Sequence, residues 1–351
     1  MKKTLQRKNI ITLEPYTSAR DLYKSGIFMD ANENYEQWIS IDWEGIASLN
    51  RYPDSTCDQL REKLVKKYVR GFTKENIFVG CGSDEIINLL IAGFVEDDES
   101  IMVMDPSYSF YEVQASIKNI QTKRILLRED FSIDIGKIQK NISTVKIIFL
   151  CSPNNPTGNL ITKKEIQMIA KFFKGIIVVD EAYIEFADLG NSMIDSVSEK
   201  SNIIILRTFS KAWGLAGIRV GYAIGSKSII DVLFKIKESY NVPSVSQNIA
   251  IQALDEIEKL KKKIVEMKKL KEQLLKGFSN LGLEASDTSA NFILVKIPNA
   301  KKIYKNLADQ KVIIRDRSNL PLLQNTLRVT IGSKEQDEKL ISILRKVLYE
   351  N

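Results

Sequence analysis

Ile203-Ile204-Ile205-Leu206-Arg207-Thr208-Phe209-Ser210-Lys211-Ala212-Trp213-Gly214-Leu215-Ala216-Gly217-Ile218-Arg219-Val220-Gly221-Tyr222-Ala223-Ile224 is the stretch on which the reading of this chain turns. Two apolar, β-branched runs, Ile203–Arg207 and Val220–Ile224, enclose a loop that carries one lysine. Runs that are apolar throughout are what strands buried on both faces require. A lone lysine after a strand is ordinarily a surface residue. Lys211, however, follows Ser210, is flanked by small and apolar side chains, and has Arg219 eight positions on. Serine with arginine is a reasonable phosphate-binding pair. A lysine in an apolar pocket near a cation has a lowered pKa and becomes a usable amine nucleophile.

Further strands are expected upstream at Asn76–Gly80, Ile101–Met104, Lys146–Leu150 and Ile176–Asp180. Helical patterns separate them. Ser83 precedes Asp84-Glu85 and the apolar run Ile86–Val95, and Thr162 with Glu165 has the spacing of a capping box. The alternation predicts an α/β fold with a mostly parallel central sheet flanked by helices. Apolar residues at spacings of three and four from Ile257 to Leu274 predict an amphipathic helix with a lysine face in water. Beyond it, strand-like Phe292–Lys296, Val312–Arg315 and Leu327–Ile331 predict a smaller α+β domain.

Three other motifs belong with Lys211. Ser152-Pro153-Asn154-Asn155-Pro156-Thr157-Gly158 is a rigid turn after a strand, at the sheet edge where open α/β folds place ligands. Val178-Val179-Asp180-Glu181-Ala182-Tyr183 ends a strand in an acid, with a tyrosine three residues on. Gly80-Cys81-Gly82-Ser83-Asp84-Glu85 leads from a strand into a helix whose N–H groups can hold a phosphate. It lacks the third glycine of a dinucleotide fingerprint. Together the motifs ask for one ligand with a phosphate, a ring nitrogen paired to an acid, and a carbonyl that condenses with lysine. Pyridoxal 5'-phosphate (PLP) meets all three demands.

Composition narrows the chemistry. The 351 residues include 51 Lys+Arg and 44 Asp+Glu, a net charge of +7, and no histidine. Serine–histidine and cysteine–histidine nucleophiles, histidine bases and histidine-held zinc are therefore excluded. No cluster of side chains suggests a metal. Cys57, Cys81 and Cys151 are odd in number and form no CxxC pair, which fits a reducing cytoplasm. No apolar run approaches the ~20 residues of a membrane span, and the basic start lacks the apolar stretch of a signal peptide. No nucleic-acid-binding pattern accompanies the basic charge.

The order Asn155, Asp180-x-x-Tyr183, Ser210-Lys211, Arg219 resembles the fold-type I PLP aminotransferases. Leu13-Glu14-Pro15-Tyr16-Thr17-Ser18-Ala19-Arg20, Arg51-Tyr52-Pro53, Ile314-Arg315-Asp316 and Leu327-Arg328-Val329-Thr330-Ile331-Gly332 narrow the resemblance. It is to the class II aminotransferases, in the branch that acts on histidinol phosphate. Tyr35 departs from the proline common there after Asn32-Glu33-Asn34.

The resemblance implies roles. Lys211 would condense with the cofactor and then carry the proton. Asp180 would pair with the ring nitrogen, and Tyr183 and Asn155 would hydrogen-bond the ring's phenolic oxygen. Tyr108 would stack on the ring, in competition with Tyr111 as a core or rim neighbour. Ser210, Arg219 and the backbone at Ser83-Asp84 would hold the phosphate, with Tyr52 of a second subunit. Tyr16, Arg315, Arg328 and Asn291 would receive the substrate's phosphate or carboxylate. The shared site implies a homodimer. The expected domains are 36–245, binding PLP, and 1–35 with 246–351. The expected reaction is reversible amino transfer between L-histidinol phosphate and 2-oxoglutarate, in the cytoplasm. The same motifs would also serve an aminotransferase for another phosphorylated ketone or for aromatic amino acids, or a decarboxylase of a phosphorylated amino acid.

Overall fold

The computed structural model describes residues 5–13, 19–44 and 49–349. Tyr16 lies outside them. In chain order the strands are β1 Ile27–Phe28, β2 Ile77–Cys81, β3 Ser100–Asp105, β4 Gln121–Leu126, β5 Val145–Cys151, β6 Ile176–Asp180, β7 Ile203–Thr208, β8 Val220–Ile224, β9 Glu284–Ser286, β10 Phe292–Lys296, β11 Val312–Ile313, β12 Arg315–Asp316 and β13 Thr326–Thr330.

Seven of them form one sheet in the order β2-β8-β7-β6-β5-β3-β4. The pairs from β7 to β4 are parallel, whereas β8 runs antiparallel between β2 and β7. Alternate residues of the central strands enter different cores. Ile148, Leu150, Ile177 and Val179 face one, and Ile147, Phe149, Ile176 and Val178 the other. Burial on both faces is why these strands are apolar without alternation.

The strand β4 was not expected from the sequence. It pairs only with β3 at the sheet edge, and its Gln-Thr-Lys-Arg start is mostly exposed. An edge strand needs no second apolar face, so its pattern is weak. The expected strand Val312–Arg315 is a correction of another kind. It divides at the buried Ile314: Val312–Ile313 pairs with Ile27–Phe28, while Arg315–Asp316 joins the sheet β12-β13-β10-β9. A third correction concerns the helix Gly82–Phe94, which starts one residue before Ser83, with Cys81 at its cap position. The capping box at Thr162 forms as expected: Glu165 N–H donates to Thr162 Oγ1 at 3.2 Å, and Thr162 N–H to Glu165 Oε2 at 2.8 Å.

The loop after β6 is fixed from behind. Buried Arg207 donates to Glu181 Oε2 through Nε at 3.0 Å and a terminal nitrogen at 2.9 Å. The same carboxylate accepts from Ser192 Oγ and Met193 N–H. Both oxygens of that buried acid are engaged, which is what lets a buried ion pair be tolerated. Glu181 thus supports the loop, and Asp180 and Tyr183 on either side are held at the sheet edge.

Candidate active site

The C-terminal ends of β5, β6 and β7 open on a cleft lined by Asn155, Asp180, Tyr183, Ser210 and Lys211. Ser83, Asp84 and Arg219 line its sheet end, Tyr108 its flank, and Arg315 and Arg328 its far wall. Residues spread over 245 positions of sequence therefore meet at one edge, from Ser83 to Arg328.

Lys211 Nζ donates to the carbonyl of Ala31 at 2.8 Å and lies 5.7 Å from the centre of the Tyr183 ring. Burial lowers its pKa to about 8, and the Arg328 cation pushes in the same direction. An amine so poised is unprotonated in appreciable fraction near pH 8, where it can act as base or nucleophile.

Asp180 is buried at the end of β6. Its Oδ1 accepts from Ala182 N–H at 3.1 Å and its Oδ2 from the Tyr111 hydroxyl at 2.6 Å. Burial raises its pKa to about 6. Among the described residues the buried acid has hydrogen bonds but no salt bridge, so a cationic ring nitrogen would meet an unfilled demand. Tyr183 Oη accepts from Asn32 Nδ2 at 3.0 Å and from Asn155 Nδ2 at 3.4 Å. Its own proton is thereby left to donate into the cleft, and burial pushes its pKa up, so it stays a phenol.

The sheet end of the cleft is built by close approach. The helix Gly82–Phe94 has no side-chain cap, and its first turn lines the cleft. A Cβ on Gly82, whose φ is +76°, would stand 2.6 Å from the Arg219 guanidinium. Arg219 itself has φ 53°, a costly conformation of the kind found at ligand clamps. Asp84 orients the group, accepting from Arg219 and from Tyr108 Oη, each at 3.1 Å. Ser210 N–H donates to Thr208 Oγ1 at 3.0 Å, which fixes the turn before Lys211.

Gly221 lets that helix start reach the sheet: a Cβ there would lie 2.4 Å from Ser83 N. Gly221→Ala should therefore displace the first turn, at a cost of about 1–3 kcal/mol. It should weaken cofactor affinity at least about tenfold. Thermal melts and fluorescence titration with the cofactor would check both, and unchanged affinity would refute the cradle.

At the far wall, Arg315 and Arg328 stand opposite one another on β12 and β13. Facing like charges destabilise a sheet, so the pair suits an anion better than it suits folding. Arg328 is buried. It donates to Asn155 Oδ1 at 2.6 Å and to the carbonyl of Asp30.

Two expected residues lie elsewhere. Asn291 is fully buried one layer behind the cleft, and its Nδ2 donates to Asn32 O at 3.0 Å, so it acts on the site through Asn32. Tyr52 is exposed and stacked on Tyr240 at 4.4 Å, outside the cleft of its own chain. The sequence reading gave no role to Asn32, Thr208, Arg317 or Leu320, all of which line the cleft. Asn32 stood within a quoted motif, and Arg317 only two positions after Arg315. Buried Cys151 also lines the cleft, and Cys81 is half-buried. Among the described residues no cluster of side chains could hold a metal ion, and no helix is long and apolar enough to cross a membrane.

The donor set fits a group with a phosphate, a basic ring nitrogen and an aldehyde. The family model described as aminotransferase class I and II matches residues 41–344. The histidinol-phosphate aminotransferase of Christiangramia forsetii is 39% identical over 98% of this chain and 97% of its own length. That of Bacteroides thetaiotaomicron is 37% identical over 98% and 99%. Among solved structures, the histidinol-phosphate aminotransferase of Clostridium acetobutylicum superposes with a TM-score of 0.84 at 27% identity, covering 93% of this chain and 100% of that one. The Sinorhizobium meliloti enzyme, solved in complex with pyridoxal-5'-phosphate, shares the fold with a TM-score of 0.89 at 21% identity, over 99% of each chain.

Proposed function

This chain belongs to the class I and II aminotransferases, and from that premise we propose that its cleft moves an amino group reversibly between L-histidinol phosphate and 2-oxoglutarate. The products are imidazole-acetol phosphate and glutamate. The observation that carries the substrate reading is full-length identity to histidinol-phosphate aminotransferases, joined to a cleft with two facing arginines. Both amino donors end in an anion, one a phosphate ester and one a carboxylate, and guanidinium binds either in bidentate fashion.

PLP is the cofactor. When bound, it supplies an aldehyde that takes up the amino group and a pyridinium ring that accepts the electrons of the broken C–H bond. The chain's own residues do the rest. Lys211 Nζ removes the proton from the substrate carbon and returns it on the other side of the amino transfer. Asp180 holds a proton on the ring nitrogen. Tyr183 and Asn155 donate to the ring's oxygen, while Arg219, Ser210 and the start of the helix Gly82–Phe94 hold the phosphate. Tyr108 covers the ring, and Arg315 and Arg328 hold the substrate's anion.

The division into a cofactor-binding domain, 36–245, and a smaller one, 1–35 with 246–351, belongs to the same proposal. So does a homodimer in which exposed Tyr52 completes a second copy's phosphate end. Three unpaired cysteines suit a cytoplasmic enzyme.

Added without any oxo acid, L-histidinol phosphate should bleach the visible band of the cofactor-loaded protein. Glutamate should do so too, and aromatic amino acids more weakly. No spectral change with histidinol phosphate would sink the assignment.

A further inference from the structure

Tyr111 is three residues past Tyr108, in the first turn of the helix Phe110–Lys118. It has no exposed surface. Its ring stacks on Phe149 at 4.5 Å and meets Tyr108 edge-on at 5.5 Å. A phenylalanine would make both contacts. What the hydroxyl adds is a short bond, 2.6 Å to Asp180 Oδ2, beside a weaker contact with the Cys151 thiol. We propose that Tyr111 is a positioning residue that keeps Asp180 ionised and aimed at the cofactor's ring nitrogen, which rests on the reading of the cleft given above.

The surroundings of Asp180 show why a donor is needed. The other titratable groups around it are Cys151 on β5, Asp84 on the helix Gly82–Phe94, and Glu181 and Tyr183 in its own loop. Asp84 and Glu181 raise its pKa, as burial does most of all. Against them stand two hydrogen bonds to the charged form, from Tyr111 and from the Ala182 N–H. The backbone donor is common to any residue at that turn, whereas the phenol is a side-chain choice. Without it the carboxylate grows more basic and competes with the ring nitrogen for their shared proton.

The test is Tyr111→Phe, which keeps the stacked ring. In the cofactor-free protein, the Asp180 carboxyl, followed by carbon NMR with labelled aspartate, should titrate about one to two pH units higher. With PLP labelled by ¹⁵N in the ring, the nitrogen signal near pH 8 should move toward the unprotonated position, while Tm changes by a few degrees. A purely structural tyrosine would lower Tm and leave both signals in place, and either signal unmoved would overturn the proposal. Failure of the wild-type protein to bind PLP would overturn the functional reading, while the bond from Tyr111 to Asp180 would still stand or fall on the titration. The two failures are told apart because the cofactor-free titration is independent of binding. If the variant does not fold, the wild-type Tyr111 hydroxyl proton is read instead. It should shift at the pH where Asp180 titrates, and a proton indifferent to that pH would overturn the link.

Discussion

Lys211→Ala should lower amino transfer by about 10⁴-fold or more, with no loss of fold. Among the described residues no other lysine lines the cleft, and the absence of histidine leaves the chain no imidazole to substitute. The side chain makes one hydrogen bond, to Ala31 O, so truncation disturbs little packing. The variant should still hold PLP through the phosphate end and Asp180, yet lack the visible band of the lysine-bound form. Ethylamine added to the assay should restore part of the rate, because it returns a base to the space that Lys211 leaves. Steady-state rates with and without the amine check this, and retained turnover in the variant would refute the role.

Asp180→Asn should be nearly as damaging to turnover, on the order of 10³-fold, because a neutral amide cannot hold a positive charge on the ring nitrogen. Its effect on stability should have the opposite sign. Burial raises the carboxyl from 3.8 to about 6, so the folded state binds a proton more readily than the unfolded one. Below pH ~4 both states are protonated and the wild-type carboxyl costs nothing. Between pH ~4 and ~6 the unfolded chain ionises first, and the cost grows; above that it is complete, on the order of 2–3 kcal/mol. The cofactor-free variant should therefore be more stable than wild type at pH 8 by about that amount, with the gain vanishing toward pH 4. Denaturant melts at the two pH values check it. Equal stability at pH 8 would show that the acid is not under strain.

The parts of this site that could be read from sequence share one property: each has its chemistry and its strand in one short segment. Lys211, Asp180 and Asn155 each follow a fully apolar run, so both the strand and the residue at its end were visible. The start of the helix Gly82–Phe94 was visible because glycine, serine and acid sit together. Asn32 was not, because its role exists only through contacts 151 and 298 residues away, with Tyr183 and Thr330. Tyr111 was ambiguous for a related reason: spacing from Tyr108 shows that both lie near the same turn, but not which one is beneath. Asn291 carries no local sign that its amide nitrogen donates to a backbone carbonyl 259 residues away. The edge strand Gln121–Leu126 escaped because its polarity is that of a loop, and the break at Ile314 because Val312-Ile313-Ile314 is one unbroken β-branched run with no sign of where the pairing partner changes.

Asn155 accepts from Arg328 with its oxygen and donates to Tyr183 with its nitrogen. The two ends of an amide are conjugated, so electron density drawn at one is felt at the other. A guanidinium on the far wall of the cleft and a phenol beyond the end of β6 are thus joined through one peptide-like dipole. Thermodynamic reciprocity then applies: whatever free energy an anion on Arg328 takes from the Tyr183 bond, a stronger bond at Tyr183 takes from the anion. The amide would therefore couple what binds at the guanidinium to what binds at the phenol, and the order in which the two bonds tighten would make no difference to the sum.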